Sequence, residues 1–195
     1  MRHASTKEIY AYWDRLRGLR RAPDRHELSP AGFGRHLPDL FLLERDAQGE
    51  FRFRIAGSRL CSLFGRELRG KSIYDFISHA SADDARDMLA TATDDVLPVV
   101  AGISALLPGH ESIEAELLLL PLLFKENTDQ RLLGSFSPKI LDRGLAKTCV
   151  GLEIITFRVL SDVEVQFFHA PLPEPPPRTQ SERRARFRIV EGGRT

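Results

Sequence analysis

The first apolar positions of the chain recur with the period of an α-helix. Four of them form a stripe at i, i+3, i+4 and i+7: Ile9, Tyr12, Trp13 and Leu16. Ser5 and Glu8 have the spacing of a capping box, and Gly18 follows the last turn of the stripe. We therefore expect a leading helix that begins near Ser5 and ends at Gly18.

A short helix and a β-hairpin are predicted next. Ser29–Pro30 combines an N-cap residue with proline at the first helical position, and Leu37–Pro38 should close this helix. Two runs rich in apolar residues, Leu40–Glu44 and Phe51–Ala56, flank the turn residues 46–49. The two runs are therefore expected to pair as antiparallel strands.

The period of the apolar positions changes within residues 51–77. Apolar residues and arginines alternate at first, as on a half-buried strand. From Leu60 the apolar spacing becomes helical, and Gly65 suits a left-handed helix C-cap. Gly57 lies at the change of period, and Ile73–Ile77 is expected to form one further helical turn. A helix that ends so soon suits either a catalytic loop or the wall of a binding pocket.

A longer amphipathic helix and further strands complete the predicted fold. Ser81 should cap this helix, whose apolar face carries Ala85, Met88, Leu89 and Ala92. Strands are expected at Val99–Ala105, Ser112–Phe124 and Arg131–Phe136, and Gly151–Val159 suits either a sixth strand or an outgoing helix. Pro121 cannot donate to a ladder, so a bulge or a strand end is expected there.

This order of elements predicts an α+β fold in which helices collect on one face of an antiparallel sheet. We divide the chain into N-terminal helices and a loop at residues 1–36, a sheet domain at 37–160 and an exposed tail at 161–195. The tail contains the run Pro171–Pro177, whose five prolines favour an extended segment.

The amino-acid composition says more about the cellular compartment of the protein than about its function. The 28 basic and 27 acidic residues give a formal net charge of +1, so no global charge attracts nucleic acid or a membrane. The two cysteines, Cys61 and Cys149, favour a reducing compartment. The N-terminus lacks the apolar region of a signal peptide, and the longest apolar run, Leu117–Phe124, is too short to span a bilayer. We expect a soluble, cytoplasmic protein that does not insert into membranes.

A series of short motifs occurs between Ile9 and Ser137. They are Tyr12-Trp13, Pro23-x-Arg25, Phe41-Leu42-Leu43-Glu44, Phe53-Arg54-x-x-Gly57, Phe64-Gly65-Arg66, Leu118-Leu119-Leu120-Pro121-Leu122 and Leu132-Leu133-Gly134. In this order they resemble a PAS-type sensor family of alphaproteobacteria, formerly carried as a domain of unknown function. The resemblance implies a PAS-like, five-stranded antiparallel sheet whose covering helices form a sensing cleft. It also implies stand-alone proteins that signal through protein partners, and it specifies no ligand.

In such a fold the covering helices should supply the wall of the cleft, which we assign to Leu63, Phe64, Tyr74, Phe76, Ile77 and Met88. Tyr74 would provide the polar group of this pocket. The leading helix is expected on the other sheet face, where an apolar strip left uncovered favours contact with a second copy. We therefore predict a homodimer built on Ile9, Tyr12, Trp13 and Leu16, the alternative being that these side chains pack within one chain.

No constellation of residues points to catalysis or to a metal. The six histidines show no ligand spacing, and the chain has neither a nucleophile elbow nor a phosphate-binding glycine loop. His79 lies where some PAS sensors carry a haem ligand, but a loop or cap histidine is the favoured interpretation. Cys61 is not in the Asn-Cys-Arg-type motif of light-sensing flavin domains. We expect a non-enzymatic protein whose cofactor, if it has one, is unknown.

Residues 178–195 are basic, because six arginines and two glutamates give them a net charge of +4. Arg184 and Arg188 have the Arg-x-x-x-Arg spacing found in front of the barrel that binds cyclic di-GMP. A nucleotide-responsive regulator is therefore the alternative function, although we expect no barrel to follow. A solubilising tail, or a strand at residues 186–190 laid on a partner, is the favoured interpretation. The leading hypothesis is a sensory or regulatory protein that acts through a protein partner, and nucleic acid is not favoured as a ligand.

Overall fold

The computed structural model describes residues 1–109, 111–123, 131–139 and 148–160. Within them, the helices are α1 (Ala4–Arg17), α2 (Pro30–Phe33), α3 (Ser58–Phe64) and α4 (Ala82–Thr93). Short 3-10 helices lie at Arg25–Glu27, Gly34–Asp39, Ile73–Phe76 and His79–Ser81. The strands are β1 (Leu40–Arg45), β2 (Phe51–Ala56), β3 (Val99–Leu106), β4 (Ser112–Leu122), β5 (Arg131–Pro138) and β6 (Gly151–Val159).

The strands form one antiparallel sheet in the order β2-β1-β5-β4-β3-β6, which confirms the predicted α+β fold. Residues 151–159, which the sequence leaves open between strand and helix, form β6. This strand pairs with β3 from Val99↔Val159 to Leu106↔Gly151. The described sheet therefore has six strands where five were expected, because β6 pairs with the edge that β3 would otherwise expose.

Each face of the sheet carries its own core, because successive strand residues point to opposite sides. On β5, Leu132 and Phe136 belong to the core that also includes residues of α3, α4 and the 3-10 helix Ile73–Phe76. Their neighbour Leu133 belongs to a second core, shared with α1 and α2. We call these the inner and the outer core. As predicted for the leading helix, α1 lies on the face opposite the covering helices.

The N-terminus of α1 is capped by the sheet and not by its own side chains. His3 occupies the N-cap position without a side-chain bond to the helix. The Glu116 carboxylate of β4 accepts hydrogen bonds from the backbone N–H of His3, at 3.0 Å, and from that of Arg2. The predicted Ser5–Glu8 capping box is therefore wrong. A buried carboxylate from the sheet takes over its role, because this carboxylate needs donors and the N–H groups of Arg2 and of the N-cap residue His3 supply them.

The strand β4 runs through Pro121 without a bulge, which corrects the expectation of a bulge or strand end there. Its pairing with β5 stays in register from Ala115↔Pro138 to Leu122↔Arg131. Its pairing with β3 has already ended at Val99↔Leu119. The N–H that proline lacks is therefore not needed for a ladder on that side. Phe124, the last residue of the strand predicted from Ser112, lies outside the described residues.

Two further expectations about helix ends need correction. Ser81 occupies the N-cap position of α4, but its hydroxyl accepts a hydrogen bond from the backbone N–H of Ile154 at 3.0 Å, so it ties the helix to β6. Pro38 does not close a helix, because the 3-10 helix Gly34–Asp39 continues through it. A 3-10 helix has few internal hydrogen bonds to lose, which makes proline easier to accommodate.

The change from strand to helix after residue 56 depends on two glycines, as the sequence indicated. Gly57 passes directly over the chain at Pro38, and a Cβ atom built on it would lie 2.2 Å from the Pro38 carbonyl oxygen. Gly65 ends α3 with φ 63° and ψ 20°, the predicted left-handed C-cap. The short helix between them is therefore a consequence of close backbone packing.

Candidate functional site

The six residues assigned to the cleft wall all belong to the inner core. Phe64, Phe76 and Met88 are buried. Leu63, Tyr74 and Ile77 are partly buried and pack against the same cluster. The structure thus brings the six residues together beneath the covering helices, where the sequence placed them. That they contact a ligand remains a prediction.

A chain of phenylalanine rings occupies this layer. The ring centroids of Phe41 and Phe53 are 5.5 Å apart, those of Phe53 and Phe76 5.8 Å, and those of Phe76 and Phe64 4.6 Å. Edge-to-face contacts at these distances stabilise the layer beyond simple burial. Together with Met88, which is fully buried, these rings lie in contact with one another between the sheet and the helices. A ligand that enters between these rings has to move one of them.

Gly134 makes room for this ring layer and was not recognised as a site residue from the sequence. A Cβ atom at Gly134 would lie 2.0 Å from the ring of Phe41. Both residues stand in motifs that carry the family resemblance, and they are paired across β1 and β5. A glycine inside an apolar strand is the signal that could have indicated the close approach.

Tyr74 lies at the rim of the inner core beside acidic and basic side chains. Burial raises the pKa of Tyr74, and the nearby Glu50 carboxylate raises it further. Glu50 in turn accepts a hydrogen bond from the Ser72 hydroxyl at 2.7 Å. The phenol therefore stays protonated at neutral pH and can donate to a ligand, which suits the predicted role of Tyr74 as the polar group.

A cavity of about 230 Å³ lies between α1 and the segment 31–36, and the sequence did not indicate it. Glu8 of α1 is held there by His36 Nε2 at 2.7 Å and by Arg35 Nη2 at 2.8 Å. The hydrogen bond from His36, followed by the charges of Arg35 and His36, lowers the pKa of Glu8. Arg35 and His36 therefore compensate the charge of the Glu8 carboxylate. The three side chains connect α1 to the segment 31–36.

The apolar stripe of α1, which we assigned to a dimer contact, packs largely against other residues of the same chain. Ile9 and Trp13 are buried in the outer core. The Tyr12 ring packs edge-on against Phe33 with centroids 4.7 Å apart, and Leu16 is partly buried. In this arrangement the stripe packs on its own sheet, the alternative that the sequence left open.

The described residues offer little for metal or covalent chemistry. Within residues 1–109, 111–123, 131–139 and 148–160, no group of three or more His, Cys, Asp or Glu side chains could hold a metal ion. His79 is exposed at the surface. Cys149 is buried, which raises the pKa of its thiol and disfavours the reactive thiolate. Arg184 and Arg188, the residues of the alternative function, lie outside the described part of the chain.

None of the helices in the described ranges has both the length and the apolar character that a membrane crossing requires.

Comparison with known proteins gives a family match and a number of similar solved structures. A family model described as PAS domain matches residues 1–137. A Drosophila melanogaster Cycle PAS-B domain with bound glycerol is 12% identical, covering 50% of this chain and 98% of its own, with a TM-score of 0.41. The PAS domain of Bordetella pertussis BvgS is 14% identical, covering 54% of this chain and 77% of its own, with a TM-score of 0.34. No curated protein matches the chain.

Proposed function

Because the chain belongs to the PAS domain family, we propose that it is a non-enzymatic sensory or regulatory protein that passes its signal on by binding another protein. PAS domains generally serve sensing and signalling and are not catalytic. The division into residues 1–36, 37–160 and 161–195 and a cytoplasmic location are parts of this proposal.

One observation carries the proposal: alternate residues of the same strand belong to the inner and to the outer core. On β1, Phe41 and Leu43 belong to the inner core, whereas Leu40 and Leu42 belong to the outer core beneath α1. Closely packed layers transmit displacement, because they contain little free volume to absorb it. A change in the packing of the inner core therefore shifts the strand that supports α1.

The sensing step that we propose is the entry of a small, largely apolar ligand into the inner core. Such a ligand would contact Phe64, Phe76 and Met88 and use the Tyr74 hydroxyl as its polar partner. Because the rings of this layer contact one another, a ligand that enters between them moves a ring, and that movement is the signal. Native mass spectrometry of the purified chain should reveal a retained small molecule. A measured mass equal to that of the polypeptide alone would contradict this step.

The first partner that we propose is a second copy of the chain. Ile9 and Trp13 are buried under α1 within one chain, so a dimer through them requires the two copies to exchange their α1 helices. Such an exchange keeps the contacts of Ile9 and Trp13 with the sheet and joins the two copies through them.

Analytical ultracentrifugation of the full chain at micromolar concentration tests the dimer. We expect a dimer that dissociates on dilution. A single species with the monomer mass across the concentration range would remove the homodimer from the proposal and leave a different protein as the partner.

A further inference from the structure

A rigid loop at one edge of the sheet carries a group of exposed basic side chains. Residues 65–71 connect α3 to the next helical turn, and we call them the basic loop. Arg66, Arg69 and Lys71 are exposed along it, against one exposed acid, Glu67. The loop lies beside β2, the strand at the edge of the sheet.

The basic loop is held in one conformation by its own buried residue and by the strand. Leu68 at its centre is fully buried. The backbone N–H of Gly70 donates to the Phe53 carbonyl at 2.7 Å, and the N–H of Phe53 donates to the Lys71 carbonyl at 3.0 Å. A cation on a preorganised backbone loses less conformational entropy on binding than one on a mobile loop.

Two of the three cations are available to a partner. Among the residues that the structure describes, neither Arg69 nor Lys71 forms an ion pair or side-chain hydrogen bond. On the neighbouring strand, by contrast, Arg52 and Arg54 are neutralised by Asp46 and Glu44, each at 2.7 Å. The unpaired charge at this edge is therefore concentrated on the loop.

The third cation connects the loop with the inner core. The guanidinium of Arg66 lies over the ring of Phe76, 4.6 Å from its centroid, which is a cation–π contact. Phe76 is one of the two middle rings of the phenylalanine layer, in contact with both Phe53 and Phe64. A ring displaced in the inner core would change the position of Arg66 on the surface.

We propose that the basic loop docks a short acidic segment of a partner protein, and that the Arg66–Phe76 contact links this docking to the state of the inner core. The number of cations favours a protein over the other anionic surfaces. Three cations would neutralise about three phosphates, against about 6–10 contacts in typical DNA binding. Binding to anionic lipid commonly uses clusters of about 4–8 basic residues. This inference rests on the proposed function, because it names the kind of partner that receives the signal.

Fluorescence anisotropy with the full chain and a labelled peptide of about eight glutamates tests the docking surface. We expect the peptide to bind at low salt and to lose most of its affinity above about 0.3 M salt, where exposed charges are screened. The double variant Arg69→Glu/Lys71→Glu should weaken binding by at least about tenfold, because two attractive contacts become repulsive. Arg69→Lys/Lys71→Arg keeps both charges and should bind like the wild type.

The matched control is Arg158→Glu, an exposed arginine on β6 at the opposite edge of the sheet. This variant should bind the peptide within about twofold of the wild type, because the two sites are separated by the width of the sheet. Equal losses in Arg158→Glu and in the single variant Arg69→Glu, which changes the net charge by the same amount, would overturn the proposal, since binding would then reflect net charge alone. Tighter binding to phosphatidylserine vesicles or to single-stranded DNA than to the peptide, abolished by the same double variant, would also overturn it.

The link to the inner core has its own test. Arg66→Lys keeps the charge but loses the planar contact with Phe76, so the peptide should still bind while the change it produces in amide hydrogen exchange at residues 73–76 disappears. The same peptide-induced change at residues 73–76 in Arg66→Lys and in the wild type would overturn the link. A monomer in the centrifuge or the absence of a retained ligand would count against the proposed function and leave the peptide result unaffected.

Discussion

The indole N–H of Trp13 donates a buried hydrogen bond to the carbonyl oxygen of Pro121, at 2.9 Å. This carbonyl lies just beyond Leu119, where β4 loses its pairing with β3. A strand carbonyl that is buried without a ladder partner needs another donor, and the indole supplies it. The bond fixes the middle of α1 to β4, five residues along the strand from the Glu116 carboxylate that holds the start of the helix.

Substitution of Trp13 should destabilise the chain in two separable steps. Trp13→Phe keeps most of the apolar contact but leaves the Pro121 carbonyl without its donor, which should cost about 1–3 kcal/mol. Trp13→Ala also opens a cavity in the outer core and should cost about 3–5 kcal/mol. The free energy of unfolding in urea measures both.

The control for this series is Leu19→Ala, because Leu19 is fully exposed after the end of α1. It should change the free energy of unfolding by less than about 0.5 kcal/mol. If Trp13→Phe were as stable as the wild type, the bond to Pro121 would contribute nothing, and packing alone would hold α1.

The anchor at Glu116 should make α1 sensitive to acid. Burial by itself would raise the pKa of Glu116, but the hydrogen bonds from His3, Arg2 and Thr6 together outweigh burial and leave the pKa below its ordinary value. A depressed carboxyl pKa adds stability above the unfolded-state pKa, about 4.3 for glutamate, and this stability is lost as the pH falls through the folded-state value.

Glu116→Gln should therefore be less stable than the wild type by about 1–3 kcal/mol at pH 7. The difference should shrink below about pH 4, as the wild-type carboxyl becomes protonated. Urea unfolding followed by Trp13 fluorescence at a series of pH values measures the stability difference at pH 7 and its decrease at low pH. A stability difference that stays constant down to pH 3 would show that the charge of Glu116 does not hold α1.

Gly134 should be intolerant of any side chain. Gly134→Ala places a Cβ atom against the ring of Phe41, and overpacking of this kind typically costs about 1–3 kcal/mol. Gly151→Ala is the matched control, because its Cβ would meet neighbours only at 3.8–3.9 Å. Adding Phe41→Leu to Gly134→Ala should restore part of the lost stability, which thermal unfolding can measure. Equal stability of the two alanine variants would contradict the close packing of the ring layer.

Removal of residues 171–195 should leave the stability of the remaining chain almost unchanged. The segment is rich in proline and arginine and lies outside the described residues, and such segments bury little apolar surface. We expect the thermal midpoint to shift by no more than about 2 °C, since 1 kcal/mol shifts it by about 2–4 °C in a chain of this size. A fall of many degrees would show that the tail packs on the domain.

Much of the secondary structure could be predicted from the sequence, because it depends on spacing within a few residues. The stripe from Ile9 to Leu16 and the alternation through Phe51 and Phe53 each match one backbone geometry, α1 and β2. Gly65 could be assigned to a left-handed C-cap because only the local backbone decides that conformation. The six predicted cleft residues, by contrast, were assigned through the family resemblance, because spacing alone does not say which surface a helix covers.

The contacts that hold these elements together were decided only by the tertiary structure. Glu116 caps a helix more than 110 residues away in the chain, and the separation between Trp13 and Pro121 is similar. A local cap at Ser5 looked sufficient from the sequence, but a buried carboxylate without donors would have been costlier than the capping box that it replaces. The contact of Phe41 with Gly134 and the pairing of β6 with β3 were also decided by the tertiary structure. Burial and strand pairing depend on which surfaces meet, and a local pattern of residues does not determine that.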